Sequence, residues 1–308
     1  MNGSAIESAE PQRQKRLTVN GLKLNVMEWG AEAGEPIVML HGLRGDARTW
    51  GRTAAVLADR FRVIGIDQRG RGLSEWDPTR NYFTPAYASD LKEIVDLLGL
   101  SSFTLLGHSM GGATALVFAE AFPERVKALL LEDVGPGSSA SSEGAERIRR
   151  ELSTTPLNFG SRAAALAFWR ESRPTASEQS IQDRVANTMV EHPDGSITWR
   201  IDLAGIAEAR LNADPAKTID LWPGVKSLTC PTLVMRGANS DYLSKPTLMA
   251  MAQANGRITA REISGASHYV HDDNFQEFIA AVREFLGHKP VADRGTCSLR
   301  DRYQGAKK

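Results

Sequence analysis

The 308-residue chain has little of several features that mark particular protein classes. Its two cysteines, Cys230 and Cys297, have neither a close pair nor the spacing of a metal site. Its 37 lysines and arginines equal its 37 aspartates and glutamates, so charge gives no reason to expect nucleic acid or an anionic membrane as a partner. No apolar run reaches membrane-spanning length, and no apolar segment opens the chain. These absences predict a cytoplasmic protein with no metal, no cofactor and no nucleic-acid or membrane partner.

The two ends of the chain are polar. We expect residues 1–16 to be a flexible N-terminus and residues 290–308 to be a C-terminal tail of similar character. An alternative for the tail is that it packs on a second copy of the chain, which keeps a homodimer possible.

One stretch in the first half joins an apolar strand pattern to a helical pattern through Gly-x-Ser-x-Gly. Residues 103–106 are strand formers, residues 113–120 follow a helical spacing, and Ser109 lies between them. A serine in such a sharp turn needs small residues two positions before and after it, and Gly107 and Gly111 meet that need. The pattern predicts a serine hydroxyl raised above the edge of a sheet at the start of a helix.

The rest of the chain alternates strand and helix patterns, with one interruption. Continuous apolar runs such as residues 36–40 and 61–67 are typical of strands buried on both faces, as in parallel sheets. The segment 137–212 instead reads as helices with no strong buried strand. We therefore predict an α/β protein whose mainly parallel core comprises residues 17–136 and 213–289, with a helical cap at 137–212.

A serine hydroxyl needs a base, and the base needs an acid that orients it. Doubly wound sheets carry their chemistry just after the strands, which favours Asp241 as the acid and His268 as the base. Together with Ser109 they follow the chain order nucleophile, acid, base. Asp133, at the end of another predicted strand, is the alternative acid, and His271 is the alternative base.

Five motifs in this order resemble those of the α/β-hydrolase fold superfamily, over residues 17–287. They are HG at 41–42, DxRGxGxS at 67–74, GHSMGG at 107–112, RGANSD at 236–241 and GASH at 265–268. The resemblance implies an α/β-hydrolase fold with an eight-stranded, mainly parallel sheet. It also implies that Ser109 is the nucleophile, His268 the base and Asp241 its orienting acid. The backbone amides of Leu43 and Met110 would form the oxyanion hole.

A serine nucleophile in this superfamily argues against dehalogenases and epoxide hydrolases, which use aspartate. The motifs resemble the branch of serine-nucleophile esterases, lactonases and hydrolases of ring-cleavage products. Within it, we expect hydrolysis of a small-molecule carboxylic ester or lactone through an acyl-enzyme. Alternatives are hydrolysis of a C–C or amide bond in a ring-cleavage product, or a small-molecule receptor on the same scaffold. The intact motif set gives no support to the receptor.

Aromatic and basic residues suggest how the substrate is bound. Trp169 and Trp199 are candidates for the roof of a pocket for a compact acyl group. Arg44 follows the oxyanion turn, and Arg170 and Arg173 lie in the predicted cap. If one of these arginines faces the pocket, the substrate carries a carboxylate held by the guanidinium group.

Overall fold

A computed structural model describes residues 7–174, 176–212 and 219–287. The strands are β1 Arg13–Val19, β2 Leu22–Trp29, β3 Glu35–Leu40, β4 Phe61–Ile66, β5 Phe103–His108, β6 Val126–Glu132, β7 Asn158–Phe159, β8 Met189–Glu191, β9 Ile197–Trp199, β10 Thr232–Gly237 and β11 Ile258–Ile263. The α-helices are α1 Gly51–Leu57, α2 Thr84–Leu97, α3 Met110–Ala121, α4 Ser138–Ser141, α5 Glu143–Thr154, α6 Arg162–Ser172, α7 Glu178–Thr188, α8 Leu203–Leu211, α9 Trp222–Ser227, α10 Lys245–Ala254, α11 Val270–Asp273 and α12 Phe275–Phe285.

Eight strands form one sheet in the order β1-β2-β4-β3-β5-β6-β10-β11. The β1–β2 and β2–β4 pairings are antiparallel, and all the others are parallel. Every residue of β4, β5 and β10 is buried, because helices cover both faces of the sheet. The predicted α/β-hydrolase fold is confirmed. Because the parallel strands point the same way, the segments after β3, β5, β6, β10 and β11 meet at one edge of the sheet.

The N-terminal hairpin begins earlier than the sequence suggested. Asn20 and Gly21 both have positive φ, 48° and 81°, which fits the tight turn expected from Asn-Gly. Residues 13–16, expected to be flexible, instead belong to β1 and pair with β2. The Arg13 guanidinium anchors this end, with a hydrogen bond to the carbonyl oxygen of Gly30 and an ion pair with the buried Glu28.

The segment inserted between β6 and β10 carries α4 to α8 and a small antiparallel sheet in the order β7-β9-β8. The helices were expected, but these three short strands were not, because two or three residues leave no period-2 pattern. The insertion has its own apolar cluster, which includes Trp169, Trp199 and Phe159. The predicted division at residue 213 and the tail from residue 290 lie outside the described residues. Within the described part, no helix has the length and apolar character needed to cross a membrane.

Candidate active site

Ser109 lies on a strained turn between β5 and α3. Its φ of 52° and ψ of −116° are unusual for a residue with a side chain, and the backbone amide is held by the carbonyl oxygen of Glu132 at 2.9 Å. A Cβ atom at Gly107 would lie 2.4 Å from the carbonyl oxygen of Gly111, and one at Gly111 would lie 2.3 Å from that of Leu40. Both glycines are therefore required by the close approach of backbones around the serine.

The base and the nucleophile of the sequence interpretation are in contact. His268, which follows β11, has its Nε2 atom 2.9 Å from Ser109 Oγ. His271, the alternative base, lies in α11, and its Nδ1 atom instead contacts Glu132 Oε1 at 2.7 Å. The geometry therefore pairs Ser109 with His268.

The acid in contact with His268 is Asp133, and the expectation for Asp241 is wrong in this respect. Asp133 directly follows β6, and its Oδ2 atom lies 2.7 Å from His268 Nδ1. The same oxygen accepts a hydrogen bond from Ser240 Oγ at 2.6 Å, and Oδ1 accepts one from Gly237 N at 3.2 Å. Asp133 also has a positive φ of 48°, so both it and Ser109 are held in strained conformations.

Asp241 faces the cap instead. Its two carboxylate oxygens accept hydrogen bonds from Arg147 Nε at 2.7 Å and Arg147 Nη2 at 3.1 Å, and its carbonyl oxygen accepts one from Gly144 N. Both residues from the cap belong to α5, so Asp241 fastens that helix to the core. Ser240, one residue earlier, contacts the same carboxylate oxygen of Asp133 as His268 does.

The electrostatics of the site keep His268 neutral. Burial lowers the pKa of His268 to about 3, and the positive charges of Arg147 and Arg173 act in the same direction. Burial also raises the pKa of Asp133, against the hydrogen bonds from Ser240 and Gly237 that favour its charged form. With Nδ1 protonated and donating to Asp133, the free electron pair of His268 Nε2 faces the serine hydroxyl.

The two proposed oxyanion-hole residues lie at neighbouring turns. Leu43 follows β3, and Met110 opens α3 directly after Ser109. Arg71, which is fully buried, contacts both residues, with Nε 3.2 Å from the carbonyl oxygen of Leu43 and Nη2 3.3 Å from Met110 Sδ. Arg71 could not be singled out from the sequence, since it occupies a variable position of the DxRGxGxS motif. The oxyanion role of the two amides remains a prediction.

Three buried residues have the chemistry of metal ligands, namely His108, Glu132 and His271. His108 Nε2 donates to the carbonyl oxygen of His268 at 2.9 Å, and Glu132 Oε1 accepts from both the backbone amide and Nδ1 of His271. These hydrogen bonds hold the loop that carries His268. Within the described part of the chain, Glu132 Oε2 and His271 Nε2 have no hydrogen-bond partner. Asp67 holds its own loop by accepting hydrogen bonds from Leu73 N and Ala47 N.

Four arginines surround Tyr269, the residue after His268. We call Arg44, Arg147, Arg173 and Arg184 the arginine cluster. Arg173 Cζ lies 3.4 Å from the centre of the Tyr269 ring, and Arg184 Cζ lies 5.1 Å from it. Burial alone would raise the pKa of Tyr269, but the four positive charges lower it to about 8.

Carboxylates lie against the arginine cluster, but within the described residues some of its guanidinium N–H groups have no hydrogen-bond acceptor. Arg44 and Arg147 share Glu151, and Arg184 pairs with Asp272. The buried Arg173 lies 3.5 Å from Asp272 and 3.6 Å from Asp273, too far for good hydrogen bonds. Within the described part of the chain, neither Nη atom of Arg173 nor Nη1 of Arg44 has a hydrogen-bond acceptor. These N–H groups without acceptors are suited to an anionic ligand.

Of the other candidate binding residues, only Trp169 lies beside the arginine cluster. The Cζ atoms of Arg184 and Arg44 lie 5.4 Å and 5.7 Å from the centre of the Trp169 ring. Trp199 packs in the cap core, and its Nε1 atom donates to the carbonyl oxygen of Pro156. The expectation for Arg170 is wrong, because its side chain is 50% exposed and pairs with Glu178 on the outer surface. One residue along α6 from the inward Trp169, it points the other way.

Comparisons with known proteins agree with this fold. The family model described as "alpha/beta hydrolase fold" matches residues 35–275. The chain is 28% identical over 263 residues to the sn-1-specific diacylglycerol lipase ABHD11 of Xenopus tropicalis, covering 83% of this chain and 79% of the lipase. It is 25% identical over 274 residues to the 2-(acetamidomethylene)succinate hydrolase of Mesorhizobium japonicum, covering 88% and 94%.

A solved structure shows the same architecture. The crystal structure of E-2-(acetamidomethylene)succinate hydrolase superposes with a TM-score of 0.79 at 24% identity, covering 89% of this chain and 99% of the other. The chain belongs to the α/β-hydrolase fold family. Its relatives place it among hydrolases.

Proposed function

We propose that this protein is a serine hydrolase that cleaves a small carboxylic ester or lactone bearing a carboxylate group. Ser109, His268 and Asp133 are its proposed catalytic residues. The observation that supports the carboxylate most directly is Arg173, a buried arginine near the proposed base whose Nη atoms lack hydrogen-bond acceptors among the described residues. Burial and the neighbouring Arg184 lower the pKa of Arg173 to about 10, so an added negative charge there is favoured.

The proposed reaction proceeds through an acyl-enzyme. Ser109 Oγ attacks the acyl carbon while its proton moves to His268 Nε2, and the imidazolium is stabilised by Asp133 through Nδ1. The negative oxygen of the tetrahedral intermediate accepts hydrogen bonds from the amides of Leu43 and Met110. His268 then gives the proton to the leaving alcohol, and a water molecule repeats these steps to release the acid.

The relatives support both parts of the proposal. A lipase hydrolyses esters, and the name of the Mesorhizobium enzyme contains a succinate, which has two carboxylates. That name also contains an acetamido group, which favours amide hydrolysis as a second candidate reaction. The arginine cluster suits a carboxylate in either case, because it recognises the charged group and not the scissile bond.

The test compares substrates that differ only in one charge. Monophenyl succinate and methyl phenyl succinate share the same scissile ester, and the N-phenyl amide of succinic acid tests the second candidate. Losing one partner of a desolvated ion pair costs about 2 kcal/mol or more, or ~30-fold. We therefore expect kcat/KM for the acid to exceed that for its methyl ester by about this factor.

Arginine variants test which side chains cause the preference for the acid over its methyl ester. Arg173→Gln is expected to abolish the preference for the acid, and Arg44→Gln to reduce it. The matched control, Arg170→Gln, removes an arginine of the same cap helix region on its outer surface and is expected to keep the preference. Equal turnover of the acid and its methyl ester by the wild type would contradict carboxylate recognition. A protein that binds these compounds without turning over any of them would instead be a receptor.

A further inference from the structure

We propose that Arg71 places a buried positive charge behind the oxyanion hole and thereby stabilises the tetrahedral intermediate. This inference rests on the proposed acyl-enzyme reaction and its oxyanion hole. Arg71 lies in the loop after β4, and its side chain is 0% exposed. Its guanidinium contacts both residues whose amides are proposed to bind the oxyanion, through the carbonyl oxygen of Leu43 at 3.2 Å and the sulfur of Met110 at 3.3 Å.

The charge of Arg71 has no carboxylate partner within the described residues. Its Nη1 atom donates to two neutral oxygens, the carbonyl of Arg69 at 2.8 Å and the hydroxyl of Tyr87 at 2.6 Å. Its Cζ atom lies 5.2 Å from the centre of the Tyr87 ring and 5.4 Å from that of Tyr82. Arg69, two residues earlier, is instead paired with two carboxylates. Because buried charges are normally paired, a cation held only by neutral groups is suited to a negative charge that appears during the reaction.

This charge affects the transition state more than the bound ester. The carbonyl group of a neutral ester carries no net charge, but its oxygen becomes negative when Ser109 Oγ attacks and the proton moves to His268. That oxygen would lie within about 10 Å of the guanidinium, because the carbonyl that Arg71 contacts belongs to Leu43, whose amide is the proposed donor. At about 10 Å and an effective dielectric constant of about 20, one positive charge accelerates the step by roughly 10-fold.

Arg71 also joins two separate segments, since Leu43 follows β3 and Met110 opens α3. Two substitutions separate the charge of Arg71 from these contacts. A lysine keeps the charge but loses the planar fork of donors, whereas a glutamine loses the charge but keeps an N–H group for a carbonyl oxygen. If the charge is what matters, Arg71→Lys should remain active and Arg71→Gln should not.

The experiment combines hydrolysis of phenyl acetate with inhibition by two neutral ketones. A phenethyl trifluoromethyl ketone adds to a nucleophilic serine and forms an oxyanion, whereas the phenethyl methyl ketone reports binding without the adduct. We expect Arg71→Gln to lower kcat/KM and to weaken the trifluoromethyl ketone by the same factor of about 10. The methyl ketone should bind as it does to the wild type. Arg71→Lys should stay within about 3-fold of the wild type in kcat/KM and in both inhibition constants.

The matched control is Arg62→Gln, which removes another buried arginine, and its partner Glu28 keeps the ion pairs with Arg13 and Lys15. It should keep kcat/KM and both inhibition constants. Thermal unfolding shows which variants fold, and Arg71→Met, a neutral side chain of similar length, replaces Arg71→Gln if that variant does not.

Three results would refute the role of Arg71 while an active wild type upholds the proposed function. They are an unchanged trifluoromethyl ketone constant in the neutral variant, equal weakening of both ketones, and an Arg71→Lys variant as slow as the neutral one. A wild type that neither hydrolyses the ester nor binds the trifluoromethyl ketone more tightly than the methyl ketone would refute both.

Discussion

The choice between Asp133 and Asp241 as the orienting acid can be tested by two single substitutions to asparagine. In Asp133→Asn the amide oxygen is expected to keep the hydrogen bond from Gly237 N, which leaves the NH₂ group to donate to His268 Nδ1. The ring then carries its proton on Nε2, which faces Ser109 Oγ at 2.9 Å. The imidazole can no longer accept the serine proton, so the base is lost although every side chain stays in place.

The expected losses of kcat in Asp133→Asn and Asp241→Asn differ by orders of magnitude. A wrong histidine tautomer in a serine triad lowers kcat by about 10⁴-fold, or ~5 kcal/mol. The Asp241–Arg147 pair is partly exposed, with 31% of each side chain accessible. Such a pair is worth about 1 kcal/mol or less, so Asp241→Asn should lower kcat by less than about 10-fold.

The assay is kcat for phenyl acetate, with thermal unfolding measured in parallel to show that both variants fold. Rapid labelling of wild type and Asp241→Asn by a serine-directed phosphonate, with slow labelling of Asp133→Asn, would locate the loss at the nucleophile. The reasoning is refuted if Asp133→Asn keeps more than about a tenth of wild-type kcat while Asp241→Asn is inactive.

Two further outcomes follow from the site and its histidines. Ser109→Ala should leave the unfolding transition intact, reduce kcat by several orders of magnitude and abolish phosphonate labelling, and persistent labelling would point to another nucleophile. Burial lowers the pKa of His41 to about 3 and that of His108 well below its usual value, so the unfolded chain binds more protons below pH 6.5. The contribution of His41 to the free energy of unfolding should therefore fall as the pH drops from 6.5 towards 4. The raised pKa values of His271, Asp46, Asp67 and Asp133 act in the opposite direction, so the test is the difference between wild type and His41→Asn in urea denaturation. A difference that does not change with pH would contradict it.

Much of the fold and part of the site could be read from the sequence, because both depend on local patterns. Buried parallel strands are continuous apolar runs, and a nucleophile turn needs glycines at fixed spacing from Ser109. His268 was found because it follows a strand within a motif. The cap strands β7, β8 and β9 were missed, since two or three residues carry no usable periodicity.

The arginines show which features of the site cannot be predicted from local sequence patterns. Arg170 and Arg173 are three residues apart, yet one is half exposed and the other buried. No sequence pattern predicts that Arg147 and Arg184 belong to the arginine cluster, because their positions depend on how α5 and α7 pack near Tyr269. Spacing along the chain cannot report such a contact, which only the tertiary arrangement of the cap creates.

The position of the acid was ambiguous in the sequence for a specific structural reason. Strands β6 and β10 are parallel neighbours, with Glu132 paired to Met235, so the segments after them reach the same side of His268. Ser240 Oγ and His268 Nδ1 both contact Asp133 Oδ2, so the side chain at position 240 lies close to the histidine ring. We therefore expect Ser240→Asp to restore activity to Asp133→Asn by at least about 10-fold, because a carboxylate again faces Nδ1. Asn239→Asp, one residue away, serves as the matched control. No recovery in the folded double variant would show that only the strand end of β6 can orient His268.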